Sequence, residues 1–211
     1  TSIVGGGANG CILHYIENKD MLKNGDLVLI DAGCEFEDYA SDITRTFPVN
    51  GKFSDEQAAI YDIVLKALKE AIDVTQAGTP YNKTNETTIR VITQGLVELG
   101  LLKGDINDLI KAEAHREFYM HGAGHWLGLD VHDVGDYKID GEWRIYEPGM
   151  VVTIEPGIYI SPKNKKVDTK WRGIGVRIED DIVITKTGNI NLTSKVPKER
   201  NEIEKMMEKK N

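Results

Sequence analysis

Four of the five histidines in this sequence, His115, His121, His125 and His132, fall within 18 residues, and His14 stands alone near the start. The stretch HGAGHWLGLDVHD spaces His121, His125 and His132 by four and seven residues, with glycines at 122, 124 and 128. Glycine lets backbone and ligand approach where a Cβ would intervene. A solitary histidine is usually structural, whereas three around glycines read as a functional site.

Carboxylates recur in one kind of setting. Asp31 closes the apolar run Leu27-Val28-Leu29-Ile30, where an unpaired buried charge would cost on the order of several kcal/mol. Taken alone it reads as a strand-end Asp facing water. Asp42 follows eleven residues later, on what should be the adjacent antiparallel strand, and a hairpin of that length can bring both carboxylates to one face. Glu155 ends the apolar run that starts at Met150 and directly precedes Pro156-Gly157. Glu179 lies between Val176-Arg177-Ile178 and Asp180-Asp181-Ile182. For these two the ordinary reading is a salt bridge or a strand end. The GIG at 173–175 lacks both the full fingerprint and the following helix of a phosphate loop.

Taken together, Asp31, Asp42, one histidine, Glu155 and Glu179 make a donor set whose four negative charges two divalent ions would neutralise. Hard oxygen donors with a single imidazole suit Mn²⁺ better than thiolate-preferring metals, while Zn²⁺, Co²⁺ and Fe²⁺ remain compatible. Two such ions about 3.5–4 Å apart generate hydroxide at neutral pH, polarise a carbonyl and stabilise its oxyanion.

The elements that must hold these residues follow from patterning. Residues 26–32 and 39–48 read as strands joined by the polar turn GCEFED. Ser54-Asp-Glu-Gln has capping-box spacing and opens a helix that ends near Gly78 and Pro80. Its stripe is Ile60, Val64, Ala67, Leu68, Ala71 and Ile72. A second helix is expected over 84–99 and a short one near 105–115. Strands are expected near 117–121, 150–155, 157–161 and 173–185, and a charged surface helix from about Lys198. That order is α+β, without regular strand-helix alternation.

Composition narrows the classes. A chain of 211 residues supports one sizeable core, and 28% charged residues suit a solvated surface. The net charge of −8, with no Lys/Arg block outside the C-terminal tail, argues against nucleic acid and anionic membrane as partners. No apolar run approaches transmembrane length. The opening TSIVGGGANG shows no signal peptide, and Cys11 and Cys34 read as reduced thiols, so a cytoplasmic location is expected.

In the contexts LIDAG, DITRTFPV, HGAGHWLGLDVHDVG, TIEPGIYI and GVRIEDDIVIT, the order Asp, Asp, His, Glu, Glu resembles the pita-bread metallopeptidases. Within them the sequence is most similar to the aminopeptidase P type, with prolidase next. NGCILHYIEN near the start extends the similarity over nearly the whole chain. Methionine aminopeptidases share the five ligands but have a shorter, different histidine context. The resemblance implies an α+β pita-bread fold in which Asp31 holds one metal, His125 and Glu155 hold the other, and Asp42 and Glu179 bridge both. Glu155 would also manage the proton of the attacking hydroxide. His121 and His132 would contact the substrate carbonyl and stabilise the tetrahedral intermediate. His14 would line the substrate pocket, and Arg177 and Tyr159 would orient Asp31. His115 has no role in this scheme.

The implied activity is a Mn²⁺-dependent Xaa-Pro aminopeptidase acting on peptides with proline second, with Xaa-Pro dipeptidase as the close alternative. Non-catalytic scaffold relatives would be expected to lack ligands, and all five are present here. Proteins of this type carry an N-terminal domain, and two helices ahead of the IVGGGANG segment, that this sequence does not contain. Residues 1–211 are therefore expected to be one N-terminally truncated catalytic domain, and the full-length protein a homo-oligomer.

Overall fold

The computed structural model of the chain describes residues 1–208. Its first half runs β1 (Ile3–Gly6), β2 (Leu27–Ala32), β3 (Glu35–Phe36), β4 (Tyr39–Ala40) and β5 (Ile43–Pro48), then the helices α1 (Asp55–Val74), α2 (Asn82–Glu98) and α3 (Ile106–Lys111). The second half adds β6 (Lys138–Ile139), β7 (Glu142–Trp143), β8 (Val151–Ile154), β9 (Gly157–Tyr159), β10 (Gly175–Arg177), β11 (Asp180–Thr185), β12 (Gly188–Asn191) and α4 (Arg200–Met207).

One antiparallel sheet has the order β1-β2-β5 and another the order β12-β11-β8, while β9 pairs with β10. The pairing of β9 with β10 matches Gly157 to Arg177, and that of β8 with β11 matches Ile154 to Asp180. Both pairings therefore share one register and form a single ladder with an interruption. The break falls at Pro156, which has no N–H to give. Its carbonyl still accepts from the Ile178 N–H at 3.3 Å.

The helices cover these sheets. Ser54 and Gln57 close the expected capping box, each side chain accepting from the other's backbone N–H at 3.2 and 3.0 Å. Ile60, Val64, Ala67, Leu68 and Ala71 are all fully buried, and α1 packs against β8, β9 and β10. The helix stops at Val74, short of Gly78, because Asn189 Nδ2 donates to the carbonyls of Ile72 and Thr75 and satisfies its last turn. Gly95 admits the side chain of Ile63, which a Cβ there would meet at 2.6 Å, so α1 and α2 lie close together. Ile203 anchors α4 in the same core.

Several expectations need correction. No strand forms over 117–121: the N–H groups of Phe118 and Tyr119 both bond to the His115 carbonyl in a helical turn that buries two consecutive aromatics. The strand expected over 173–185 is two strands, broken at Ile178-Glu179. The helix near 105–115 ends at Lys111 and is followed by a separate 3₁₀ turn at Ala114–Glu117. The strand at Ile3–Gly6 and the small hairpins at 35–40 and 138–143 were not apparent from patterning. Among the described residues Cys11 and Cys34 are free thiols, and no helix is long and apolar enough to cross a membrane.

Candidate metal centre

Strand pairing brings the first two carboxylates together. Asp31 stands opposite Thr44 in the β2–β5 ladder, and Asp42 precedes β5 by one residue. Residues opposite one another, and residues two apart along a strand, share a face. Asp31, Thr44 and Asp42 therefore point the same way. The Asp42 N–H donates to Asp181 Oδ2 at 3.2 Å.

The second pair arises at the break in the other ladder. One step beyond the Ile154–Asp180 pair, Glu155 comes opposite Glu179. His125 reaches the same place on an extended segment lying along β8. Thr153 and Glu155 donate their N–H groups to the carbonyls of His125 and Ala123, at 2.9 and 2.8 Å. Gly124 permits this approach, since a Cβ there would lie 1.8 Å from the Thr153 carbonyl oxygen. Tyr81 Oη further holds the segment by donating to the Gly124 carbonyl at 2.6 Å.

The ladders meet where the Glu179 N–H donates to the Thr44 carbonyl at 3.0 Å. Asp31, Asp42, Glu155, Glu179, Arg177 and the histidines at 14, 121, 125 and 132 line one cavity of about 650 Å³. His125 Nε2 lies 3.5 Å from Asp42 Oδ2 and 3.6 Å from Glu155 Oε1. His14 and His132 sit at the exposed rim. The ring centroids of His125 and His132 are 4.2 Å apart. Tyr159 is not among the lining residues, and its hydroxyl bonds to Arg177 and His121 rather than to Asp31. Its hydroxyl accepts from Arg177 Nη1 at 3.2 Å and meets His121 Nε2 at 2.8 Å, while Arg177 Nη2 donates to Asp31 Oδ2 at 2.6 Å. His121 Nδ1 bonds to the Gly122 carbonyl at 2.8 Å, so that nitrogen carries the proton and Nε2 accepts from Tyr159. His115 lies outside the cavity.

Electrostatics shows a centre short of positive charge. Burial raises Glu155 to about 7 against the pull of His125 and Arg177, with Asp42 and Asp31 adding to the rise. Burial also raises Asp31, opposed by Arg177 and reinforced by Asp42. Glu179 is pushed well up by burial and by the charges of Glu155, Asp42 and Asp31. Burial favours neutral His125, but its bonds to Asp42 and the Trp126 carbonyl and the charge of Glu155 leave it raised. Asp42 is lowered, because the His125 and Asp31 bonds outweigh its burial. His121 is lowered to about 4 by burial and is neutral at pH 7.

Two divalent cations fit this donor set. Ligand atoms of Asp31, Asp42 and Glu179 lie within 4.8 Å of one another, and so do those of His125, Glu155 and Glu179. A third such group joins Asp42, His125 and His132. His125 Nδ1 is tied to the Trp126 carbonyl at 3.0 Å, leaving Nε2 facing carboxylate oxygens. Glu179 Oε1 is buried without a hydrogen-bond partner among the described residues. A buried carboxylate oxygen without a donor is costly unless a cation meets it.

Thr44, Tyr81 and Asp181 were not singled out from sequence. Asp181 had a visible signal, an acid pair in an otherwise apolar strand, and burial raises it to about 7. Thr44 had a weaker one, lying two residues from Asp42 on the same strand face.

Comparison with known proteins gives concordant results. The description of metallopeptidase family M24 matches residues 1–186. The sequence is 60% identical to the Xaa-Pro aminopeptidase of Haemophilus influenzae and 58% identical to that of Escherichia coli. Each match covers 98% of this chain but 47% and 46%, respectively, of those proteins, so the chain spans about half the length of these relatives. A solved structure of Pseudomonas aeruginosa aminopeptidase PepP superposes with a TM-score of 0.97 at 62% identity, covering 98% of this chain and 47% of that one. Proline aminopeptidase P II from Yersinia pestis superposes with a TM-score of 0.94 at 60% identity, covering 98% and 47%.

Proposed function

The chain belongs to metallopeptidase family M24 and has its α+β pita-bread fold, and from that premise we propose that it is the catalytic part of an aminopeptidase that releases an N-terminal residue preceding proline. The observation that carries this reading is the convergence of Asp31, Asp42, His125, Glu155 and Glu179 on one cavity, in a chain 58% to 60% identical to proteins named Xaa-Pro aminopeptidase. Those names favour an aminopeptidase over an Xaa-Pro dipeptidase.

In this reading Asp31 holds one divalent ion, His125 and Glu155 hold the other, and Asp42 and Glu179 serve both. The ligand groupings support the sharing, since Glu179 belongs to both sets and Asp42 also approaches His125. Such a pair supplies activated water at neutral pH and polarises the scissile carbonyl. The four carboxylates with one imidazole favour Mn²⁺.

The chain's own residues then do the following. Glu155, on the cavity wall 3.6 Å from His125 Nε2, takes the proton of the attacking water and passes it to the leaving proline nitrogen. His132 lies at the open rim, makes no hydrogen bond to the described residues, and is free to donate to the developing oxyanion. His121 is held neutral by burial, is oriented by its bonds to Tyr159 and the Gly122 carbonyl, and contacts the substrate carbonyl. His14 lines the substrate entrance. Arg177 fixes Asp31 directly, with Tyr159 as its support.

Residues 1–211 act as one catalytic domain of a cytoplasmic protein that forms a homo-oligomer at full length, with peptides bearing proline at the second position as partners rather than nucleic acid or membrane. The test uses the full-length protein with Mn²⁺, an Xaa-Pro-Xaa tripeptide, an Xaa-Pro dipeptide and a chelator control. Release of the first residue from the tripeptide, abolished by chelator, is expected. Cleavage of the dipeptide alone would make it a dipeptidase, and two bound ions without hydrolysis would make it a scaffold.

A further inference from the structure

Thr44 is fully buried in β5 and lies outside the ligand set, yet its side chain touches two groups that serve it. Its Oγ1 lies 2.6 Å from Glu179 Oε2, and Arg177 Nε approaches the same Oγ1 at 3.3 Å. Arg177 Nε can only donate, so the Thr44 hydroxyl accepts there and must spend its single proton on Glu179. The direction of the chain is thereby set: Arg177 to Thr44 to Glu179, with the other arm of Arg177 reaching Asp31. Glu179 Oε2 is held as an acceptor, and Oε1 is left buried with no partner among the described residues, available to a cation.

The backbone around this contact is held as firmly. The Thr44 carbonyl accepts from the Glu179 N–H at 3.0 Å. Arg45 Nη1 donates to the carbonyls of both residues, at 2.9 and 2.5 Å. The remaining donors of Arg45 go to the Pro197 carbonyl, the Val196 carbonyl and Asp180 Oδ1. All five N–H groups of a guanidinium are thus used. The Thr44 hydroxyl therefore projects from a rigid platform.

We infer that Thr44 is a positioning residue of the metal centre: its hydroxyl orients the Glu179 carboxylate and couples it, through Arg177, to Asp31. This rests on the metal reading above and goes beyond it by assigning a residue that binds neither metal nor substrate. A threonine can be present merely because it suits a buried strand, and Thr46 supplies the contrast. Thr46 is equally buried on the same face of β5, but its hydroxyl donates to the Arg177 carbonyl at 2.9 Å and touches no carboxylate.

The experiment titrates Mn²⁺ calorimetrically into the metal-depleted full-length protein and into its Thr44→Val, Thr44→Ser and Thr46→Val variants, with metal-free thermal unfolding alongside. Thr44→Val keeps the shape but removes the hydroxyl, and it should weaken Mn²⁺ binding about 10–100-fold, the usual effect of losing a partner that orients a ligand. Thr44→Ser keeps the hydroxyl and should stay within about threefold of wild type by the same reasoning. Thr46→Val should lower metal-free thermal stability about as much as Thr44→Val while leaving Mn²⁺ affinity unchanged. Wild-type affinity in Thr44→Val, or equal losses of affinity in both valine variants, would overturn the inference. If Thr44→Val does not fold, Thr44→Ser decides, and a loss of about tenfold or more there counts against it. A wild-type protein that binds no Mn²⁺ would instead remove the metal reading on which the inference stands.

Discussion

His125 and His132 face each other edge to plane, with their rings at 64°, yet their surroundings separate their roles. His125 has one nitrogen bonded to a carbonyl and the other among carboxylates, the arrangement of a ligand whose tautomer is set from behind. His132 is exposed and groups with Asp42 and His125 rather than with Glu155 or Glu179 in the donor clusters. His125→Ala is therefore expected to lower metal occupancy. His132→Ala should keep two ions bound while kcat falls about 10²–10³-fold, the typical loss of an oxyanion donor. Elemental analysis beside steady-state kinetics separates the two, and an empty site with normal turnover per bound ion in His132→Ala would reverse the assignment. Asp42→Ala removes a carboxylate within reach of both ligand sets and should empty both sites. Two ions still tightly held in that variant would refute the bridging role.

The interrupted ladder explains how strands produce a polar centre inside an apolar core. Along β8 and β11 the buried apolar residues are Val152, Ile154, Ile182 and Ile184. Pairing lapses only where Pro156 removes a donor, and there Glu155 and Glu179 face each other. The segment carrying His125 must lie flat against β8 for the imidazole to arrive. Gly124→Ala places a methyl group where the Thr153 carbonyl oxygen sits, and backbone has no rotamer by which to withdraw. The segment should lift from β8 and carry His125 away from Glu155. Metal affinity is expected to fall sharply, with a loss of stability of about 1–3 kcal/mol as for other overpacked sites. Wild-type Mn²⁺ affinity in Gly124→Ala would show that the segment tolerates displacement without moving its ligand.

At the scale of the molecule, acidic repulsion inside the cavity makes stability depend on pH and on metal. Glu155 rises from 4.5 to about 7 and Asp181 from 3.8 to about 7, with Asp31 and Glu179 raised as well. A carboxyl whose folded pKa exceeds its unfolded value holds its proton more tightly when folded. Its contribution to stability is present below the unfolded pKa and is lost as pH rises through the folded one. His121, lowered from 6.5 to about 4, works the other way, losing stability as pH falls through that range. His115 and His132 are lowered as well, while His125 is raised and sides with the carboxyls. The four raised carboxyls with His125 outweigh the three lowered imidazoles, so the metal-free protein should become less stable as pH climbs from about 5 to about 7. Saturating Mn²⁺ binds the ionised set and should raise Tm much more at pH 8 than at pH 5. Thermal scans with and without metal check this, and an equal rise at both values would contradict it.

Much of the candidate site was legible because carboxylates recur at the ends of apolar strands, each ordinary by itself and informative only as a set. The pattern around His121, His125 and His132 is local, and so are the helices at 55–74 and 82–98, because capping and 3.6-residue periodicity are written within a few turns. What local pattern could not supply was pairing across distance. Whether residues 173–185 form one strand or two depends on Pro156, which faces Ile178 only once the ladder has formed. The pair Phe118-Tyr119 looks like a strand by composition and is a turn because both N–H groups find the His115 carbonyl. Thr44 and Asp181 lie within recognisable contexts, but what they do there depends on hydrogen bonds to residues 135 and 139 positions away. The candidate donors are a matter of residue type and position, which sequence displays. The orientation of each ligand depends on hydrogen bonds closed between distant segments, and only the folded chain brings those segments together.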